Sequence, residues 1–203
     1  MPELVTDGAT LTIVAALAYL LGSIPFGIVI TRALGLGDLR KIGSGNIGAT
    51  NVLRTGNKPA AAATLILDAA KGGIAALIAR WLVAEDAAQL AGLAAFLGHI
   101  FPIWLNFKGG KGVATFLGTL IALSWPIGLA CCATWLLTAF LSRISSLSAL
   151  VAASSSTFWM FFLGQHQLLI LGMILTVIVF VRHGDNIRRL KAGTEPKIGR
   201  KKG

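Results

Sequence analysis

Three short stretches of this chain gather residues able to hold an anion. The first is Gly43, Ser44, Gly45, Asn46, Ile47, Gly48, Ala49, Thr50 and Asn51, followed by Arg54. Glycines let successive backbone N–H groups curve around a negative charge. Ser44, Asn46, Thr50 and Asn51 add side-chain hydrogen bonds, and Arg54 adds a planar cationic fork. A polar loop that only turns the chain has the same composition, so this segment alone carries both readings.

The second stretch is Lys108, Gly109, Gly110, Lys111, Gly112, Val113, Ala114 and Thr115. It is not a Walker A loop. Leu105 stands where the first glycine would be, and Gly112 follows Lys111 where Ser or Thr would be. The physics of phosphate binding still applies: glycine amides, two lysines and the N-terminus of a following helix suit an anion. A basic flank of a membrane span needs lysine but not three interleaved glycines.

The third stretch runs Arg182, His183, Gly184, Asp185, Asn186, Ile187, Arg188, Arg189, Leu190, then Gly193, Thr194 and Glu195. If a helix continues through it, His183, Asn186 and Leu190 form one stripe with Arg189 beside it, presenting imidazole, amide and guanidinium together. The competing reading is a basic helix resting on anionic headgroups, for which His and Asn are poor choices.

Elements that position these stretches follow from composition. Of 203 residues, 55% are apolar and only 13% charged, about half the soluble average of roughly 25%. The mean hydropathy is +0.78. Such a chain cannot cover itself with polar surface, so the bilayer is the expected solvent. The net charge of +10 lies between apolar runs, as membrane loops do, and no nucleic-acid partner is expected. Cys131 and Cys132 are adjacent, giving neither a structural disulfide nor a zinc spacing, and no metal or other cofactor is expected.

Apolar runs at 9–31, 60–83 and 87–107 are each long enough to cross about 30 Å of hydrocarbon, the last with a kink expected at Pro102. The first has Glu3 and Asp7 before it instead of a basic flank, so it is expected to be retained as a helix. The run 113–141 breaks at Ser124-Trp125-Pro126 into two short helices, and 145–163 and 168–181 follow. Basic residues cluster after the first run (Arg32, Arg40, Lys41, Arg54, Lys58), after the third (Lys108, Lys111) and in the tail (Arg182, Arg188, Arg189, Lys191, Lys197, Arg200, Lys201, Lys202). Glu85 and Asp86 lie between. The positive-inside rule then puts the N-terminus outside and the C-terminus in the cytoplasm, which requires an odd number of spans. Seven puts Arg143 inside as well, whereas five would need the middle segments to lie differently. The expectation is one polytopic all-α domain over residues 1–203, with segments 43–54, 98–115 and 182–195 at the cytoplasmic face.

Within the spans, Asp68 and Lys71 stand three residues apart, a structural ion pair by the main reading. His99 fits packing or hydrogen bonding as well as catalysis. His166 sits in an outside turn and takes no role.

Residues 43–51, with Leu67-Asp68 and Lys71-Gly72, resemble the first signature of the PlsY family, the bacterial acyl-phosphate:glycerol-3-phosphate acyltransferases. Gly98-His99-Ile100-Phe101-Pro102 running into Lys108 to Thr115 resembles the second. His183, Asn186, Arg189-Leu190 and Gly193-Thr194-Glu195 resemble the third. Order, spacing and length agree over essentially the whole chain. The resemblance implies seven membrane helices whose signatures meet at the cytoplasmic face of the bacterial inner membrane. It implies transfer of an acyl group from acyl phosphate to the sn-1 hydroxyl of glycerol 3-phosphate, giving 1-acyl-glycerol 3-phosphate, the first step of phospholipid synthesis. It also puts the glycerol 3-phosphate anion on the second signature.

On that basis Ser44, Gly45, Asn46, Gly48, Asn51 and Arg54 are expected to hold acyl phosphate. Lys108, Gly109, Gly110, Lys111, Gly112, Thr115 and Arg189 are expected to hold glycerol 3-phosphate. His183, Asn186 and Ser44 are the catalytic candidates, with Asp68, Lys71 and His99 structural. Direct attack by the substrate hydroxyl is expected, since Ser44 has no His–Asp partner in the sequence. The proton acceptor is either His183 or the donor's own phosphate. Besides the two substrates and the bilayer, a peripheral enzyme that makes acyl phosphate is an expected partner. A transporter of phosphorylated solutes is the alternative. It would predict internal repeats, and the sequence has none.

Overall fold

The computed structural model describes residues 2–198; the basic residues Arg200, Lys201 and Lys202 lie outside it. Among the described residues the regular structure is entirely helical. Ten α-helices follow one another: α1 (Gly8–Gly22), α2 (Phe26–Ala33), α3 (Ala49–Val52), α4 (Lys58–Leu82), α5 (Glu85–Ile100), α6 (Val113–Leu123), α7 (Trp125–Ser142), α8 (Ser145–Phe162), α9 (Leu169–Arg182) and α10 (Gly184–Lys191).

Local chemistry sets the boundaries. Asp7 caps α1 by accepting from the Ala9 and Thr10 amides, and Asn57 caps α4 by accepting from Ala60. Glu85 and Asp86 sit in the first turn of α5, where the helix dipole favours negative charge. Pro126 occupies the first turn of α7, directly after the break at Ser124. That break falls where the sequence suggested.

Four stretches are long and apolar enough to cross a membrane: Gly8–Ala33, Lys58–Leu82, Glu85–Leu105 and Trp125–Ser142. A fifth is the bent pair His166–Arg182 and Gly184–Lys191. The chain is thus a multi-pass membrane protein with four to five candidate spans by length and composition, where the sequence reading counted seven. α6 has only 11 residues, about 16 Å at 1.5 Å per residue.

Three local expectations need correction. The first apolar run is not one continuous helix: Pro25 lacks an amide hydrogen and crowds the preceding turn, so the chain breaks between α1 and α2. Pro102 does not kink a helix, because α5 has already ended at Ile100 and a separate 3-10 turn covers Ile103–Leu105. The last helix does not run straight through the third stretch but bends by 63° at His183. His183 and Asn186 are nevertheless both buried.

Packing relies on small residues. α1 lies on α5 through Ala18, Ala87, Ala91, Ala94 and Ala95, all buried. α4 lies between α5 and α6, and at Gly118 any Cβ would stand 2.0 Å from the Ala69 carbonyl oxygen, so only glycine allows that approach. α7 packs on α8, and α8 on α9. Trp81, Phe140 and Leu141 point outward, 83%, 82% and 73% exposed. That apolar exterior suits hydrocarbon and would be an aggregation surface in water.

Polar contacts gather at the two ends of the bundle. At one end Arg80 pairs with Glu85 and donates to the carbonyls of Ala122 and Leu123, while Asp86 accepts from the Val5 and Thr6 amides. At the other end Arg40 reaches the Lys108 carbonyl, Thr50 meets Ser145, Ser146 donates to Glu195, and the Ile198 amide donates to the Arg143 carbonyl. The three glycine-containing polar stretches lie at this second, basic end.

Candidate active site

The first stretch is built around a buried side chain. The Asn51 amide nitrogen donates to the carbonyls of Leu39 (2.8 Å), Ile42 (3.1 Å) and Asn46 (2.7 Å). Its oxygen accepts from the Ser44 amide (3.3 Å) and from Arg54 (3.2 Å). Both ends of this side chain are occupied in pinning the loop, with Gly43 and Gly45 in the left-handed region (φ 55° and 69°). Ser44 stands exposed on the loop surface.

The second stretch folds back onto the end of α5. Gly109 donates its amide to the Ile100 carbonyl (3.0 Å) and Gly110 to the His99 carbonyl (3.1 Å). Two of the glycine amides expected to face phosphate therefore satisfy the free carbonyls of a helix C-terminus. The Lys111 and Gly112 amides have no protein acceptor among the described residues. The Thr115 hydroxyl is fully buried and donates to the Asp68 carbonyl at 2.8 Å, so it joins α6 to α4.

The third stretch meets the second through charge. The Lys111 ammonium donates to the Asn186 oxygen. The Asn186 amide nitrogen donates to Glu195 Oε1 at 2.5 Å, Ser146 donates to the same oxygen at 2.7 Å, and Arg189 Nε pairs with Oε2 at 2.7 Å. Burial raises the Glu195 carboxyl's pKa, but the bonds from Ser146, Asn186 and Arg189 outweigh it and hold the group below the usual carboxylate range. Burial is the main force that lowers Lys111, aided by Arg189 and Arg182 and opposed by Glu195 and Asp185; its pKa falls to about 8. His183 is buried with Nδ1 2.8 Å from the Val179 carbonyl, which fixes Nδ1 as the protonated nitrogen of the neutral ring and leaves Nε2 as an acceptor.

These pieces enclose one cleft of about 440 Å³. Its walls include Ser44 and Asn46 from the first stretch, Gly109 and Lys111 from the second, and Arg182, Asp185 and Arg188 from the third. Arg189 lines a neighbouring recess, and Arg54 stays outside the cleft beside Asn51. Sequence reasoning gave no role to Arg182, Arg188 or Ser146. Arg182 donates to the Gly109 carbonyl (3.4 Å) and lies over the Phe101 ring. Its position just before His183 was visible, but its contact with residue 109 was not.

The cleft is lined by Lys111, Arg182 and Arg188 together with exposed Ser44. The family described as glycerol-3-phosphate acyltransferase matches residues 12–193. The chain belongs to the glycerol-3-phosphate acyltransferase family. The glycerol-3-phosphate acyltransferase of Cereibacter sphaeroides is 68% identical over 201 residues, 99% of this chain and 96% of that protein. The one from Dinoroseobacter shibae is 62% identical over 202 residues, covering all of both chains. A crystal structure of PlsY, an integral membrane glycerol 3-phosphate acyltransferase, in its glycerol 3-phosphate form superposes with a TM-score of 0.89 at 39% identity, over 94% of this chain and 96% of that one. Its lysophosphatidic acid form gives 0.87 at 38%, with the same coverage. The chain is therefore a membrane acyltransferase of glycerol 3-phosphate, and the transporter alternative falls.

Proposed function

We propose that this cleft transfers an acyl group from acyl phosphate directly to the sn-1 hydroxyl of glycerol 3-phosphate. The observation that carries this reading is the convergence of Ser44, Lys111 and Arg182 on one basic cleft, with Asn186 bonded to Lys111. Two phosphate groups must lie side by side there, and their repulsion is offset by Lys111, Arg182, Arg188 and the Lys111 and Gly112 amides. Ser44 and Asn46 face the donor phosphate, with Gly45 and Gly48 shaping the loop around it and Arg54 adding charge behind. Lys111 holds glycerol 3-phosphate, with Lys108 and Arg189 at the rim. Gly109, Gly110, Asn51 and Thr115 act by building the loops.

In the reaction the hydroxyl oxygen bonds to the acyl carbonyl carbon, the carbon–oxygen bond to phosphate breaks, and the hydroxyl proton passes to the departing phosphate. Holding the reactants at attack distance contributes roughly 7–11 kcal/mol. Asn186 and the Nε2 side of His183 orient the reacting groups, and the carbonyl is polarised by fixed donors. Ser44 makes no side-chain hydrogen bond to a base among the described residues, which favours direct attack over an acyl-serine.

We further read the bundle as crossing the bacterial inner membrane seven times, with the N-terminus outside and the cleft at the cytoplasmic face. The sorting of basic contacts to one end and of Glu85 and Asp86 to the other supports this orientation. An enzyme that makes acyl phosphate would then deliver it from the cytoplasmic side.

The test is purified protein with glycerol 3-phosphate and either palmitoyl phosphate or palmitoyl-CoA, following phosphate release and lysophosphatidic acid. Product from palmitoyl phosphate alone supports the reading, and product from palmitoyl-CoA alone overturns the donor.

A further inference from the structure

Beneath the second loop lies a buried polar group that the mechanism does not use. Asp68 pairs with Lys71 at 2.8 Å, and Lys71 also donates to the Ile24 carbonyl (2.9 Å) at the break between α1 and α2. The Asp68 carbonyl takes the Thr115 hydroxyl. His99 completes the cluster, its side chain 5% exposed and its Nδ1 3.6 Å from the Asp68 carboxylate, with no hydrogen-bond partner on that nitrogen among the described residues. One residue, Asp68, thus links α4 to α6 through its backbone carbonyl, faces His99 on α5 with its carboxylate, and through Lys71 reaches the first helix break.

His99 touches the loop twice. Its carbonyl accepts the Gly110 amide at 3.1 Å. Its ring lies directly under the Gly110 Cα, where an added Cβ would stand 2.1 Å from Nε2. His99 does not itself line the cleft. A buried imidazole beside a carboxylate is an expensive way to fill space that Phe or Leu would fill without desolvation. Lys111 is the next residue after Gly110.

We propose that His99 is a positioning residue: packed above the Asp68 carboxylate, its ring and carbonyl fix Gly110 and thereby set where Lys111 stands to receive glycerol 3-phosphate. This rests on the reading of the second loop as the glycerol 3-phosphate site. Loss of the ring lets the loop sink toward α4 and carries Lys111 away from its anion, while the first loop, held by Asn51, stays in place.

The experiment compares His99→Ala, Gly110→Ala and the double variant with the parent enzyme in detergent. For each, KM is measured for both substrates together with thermal unfolding. His99→Ala is expected to raise the KM for glycerol 3-phosphate about tenfold while changing that for palmitoyl phosphate less than about twofold. Gly110→Ala should do the same, and the double variant should recover much of the loss, because the new methyl occupies the vacated ring space. Additive losses in the double variant overturn the proposal. So does a rise in both KM values alike with a lowered unfolding midpoint. If His99→Ala does not survive purification, His99→Gln with and without Gly110→Ala reads the same coupling. Lys111→Met is the control for the underlying reading: if it leaves the glycerol 3-phosphate KM unchanged, the site assignment has failed, whatever His99 does.

Discussion

The Lys111 ammonium donates to the side-chain oxygen of Asn186, 75 positions away in the chain. This bond closes the cleft between the second and third loops, and through Glu195 it extends to Ser146 on α8. The amide of Asn186 is thereby polarised from both sides, with a cation on its oxygen and a carboxylate on its nitrogen.

Lys111 should set an alkaline limit on activity. Its pKa is held at about 8, against an ordinary value of about 10.4. A lysine with a lowered pKa carries its charge below that value and loses it as the pH rises through it. Glycerol 3-phosphate remains a dianion across this range, so the change belongs to the enzyme. We expect kcat/KM for glycerol 3-phosphate to fall above pH about 8, approaching tenfold per unit. Lys111→Arg should lower activity but remove this limb. Initial rates between pH about 7 and about 9 check both.

Glu195 orients Asn186 without facing the cleft. Glu195→Gln keeps an acceptor for Ser146 but loses the ion pair with Arg189. Hydrogen bonds to charged groups contribute about 1.5–3 kcal/mol, so kcat/KM should drop roughly tenfold or more. Ser146→Ala, which removes one of the bonds holding the carboxylate, should cost about fivefold. Steady-state kinetics on the two variants orders them.

Asn51 distinguishes a pin from a ligand. Asn51→Asp keeps the shape but can no longer donate to the Leu39, Ile42 and Asn46 carbonyls. It should therefore be as damaging as Asn51→Ala, about 2 kcal/mol for the two N–H donors shared among three carbonyls. Limited proteolysis should cut faster within residues 39–55, and the KM for acyl phosphate should rise.

The Asp68–Lys71 pair should be far more costly to break than to replace. Lys71→Met leaves a buried carboxylate without its partner and should destabilise by about 3–5 kcal/mol. Adding Asp68→Leu removes that unpaired charge and should restore most of the loss in thermal unfolding in detergent. Activity should not return with it if the carboxylate also holds His99.

The sequence made the loops legible because glycine clusters with lysine, serine and asparagine have few other uses in so apolar a chain. The break at Ser124 was legible for the same kind of reason, a serine and a proline interrupting an apolar run. The break at Pro25 was not, since its immediate neighbours are apolar and the group that binds the preceding carbonyl of Ile24, Lys71, lies 47 positions beyond Ile24. Asn51, Thr115 and Gly109 show a different limit. The atoms that would bind phosphate are the same atoms that tie a loop together, and only the fold tells which carbonyl already occupies them. Glu195 was visible as part of a signature, but its grip on Ser146 belongs to no local pattern.

The register of α6 against α4 has a consequence for where the reaction occurs. Thr115, in the first turn of α6, is bonded to Asp68, about 15 Å along α4 from its start at Lys58. The lysine loop is therefore recessed into the bundle, below the level at which α4 begins. In the proposed reaction the water-soluble reactant descends to meet the lipid, and the lipid does not rise to meet the water. Each methylene drawn out of hydrocarbon costs about 0.8 kcal/mol, so lifting a long chain clear of the bilayer would slow transfer by many orders of magnitude. In that proposal a short α6 removes the step: the acyl group changes its chemical partner without changing phase.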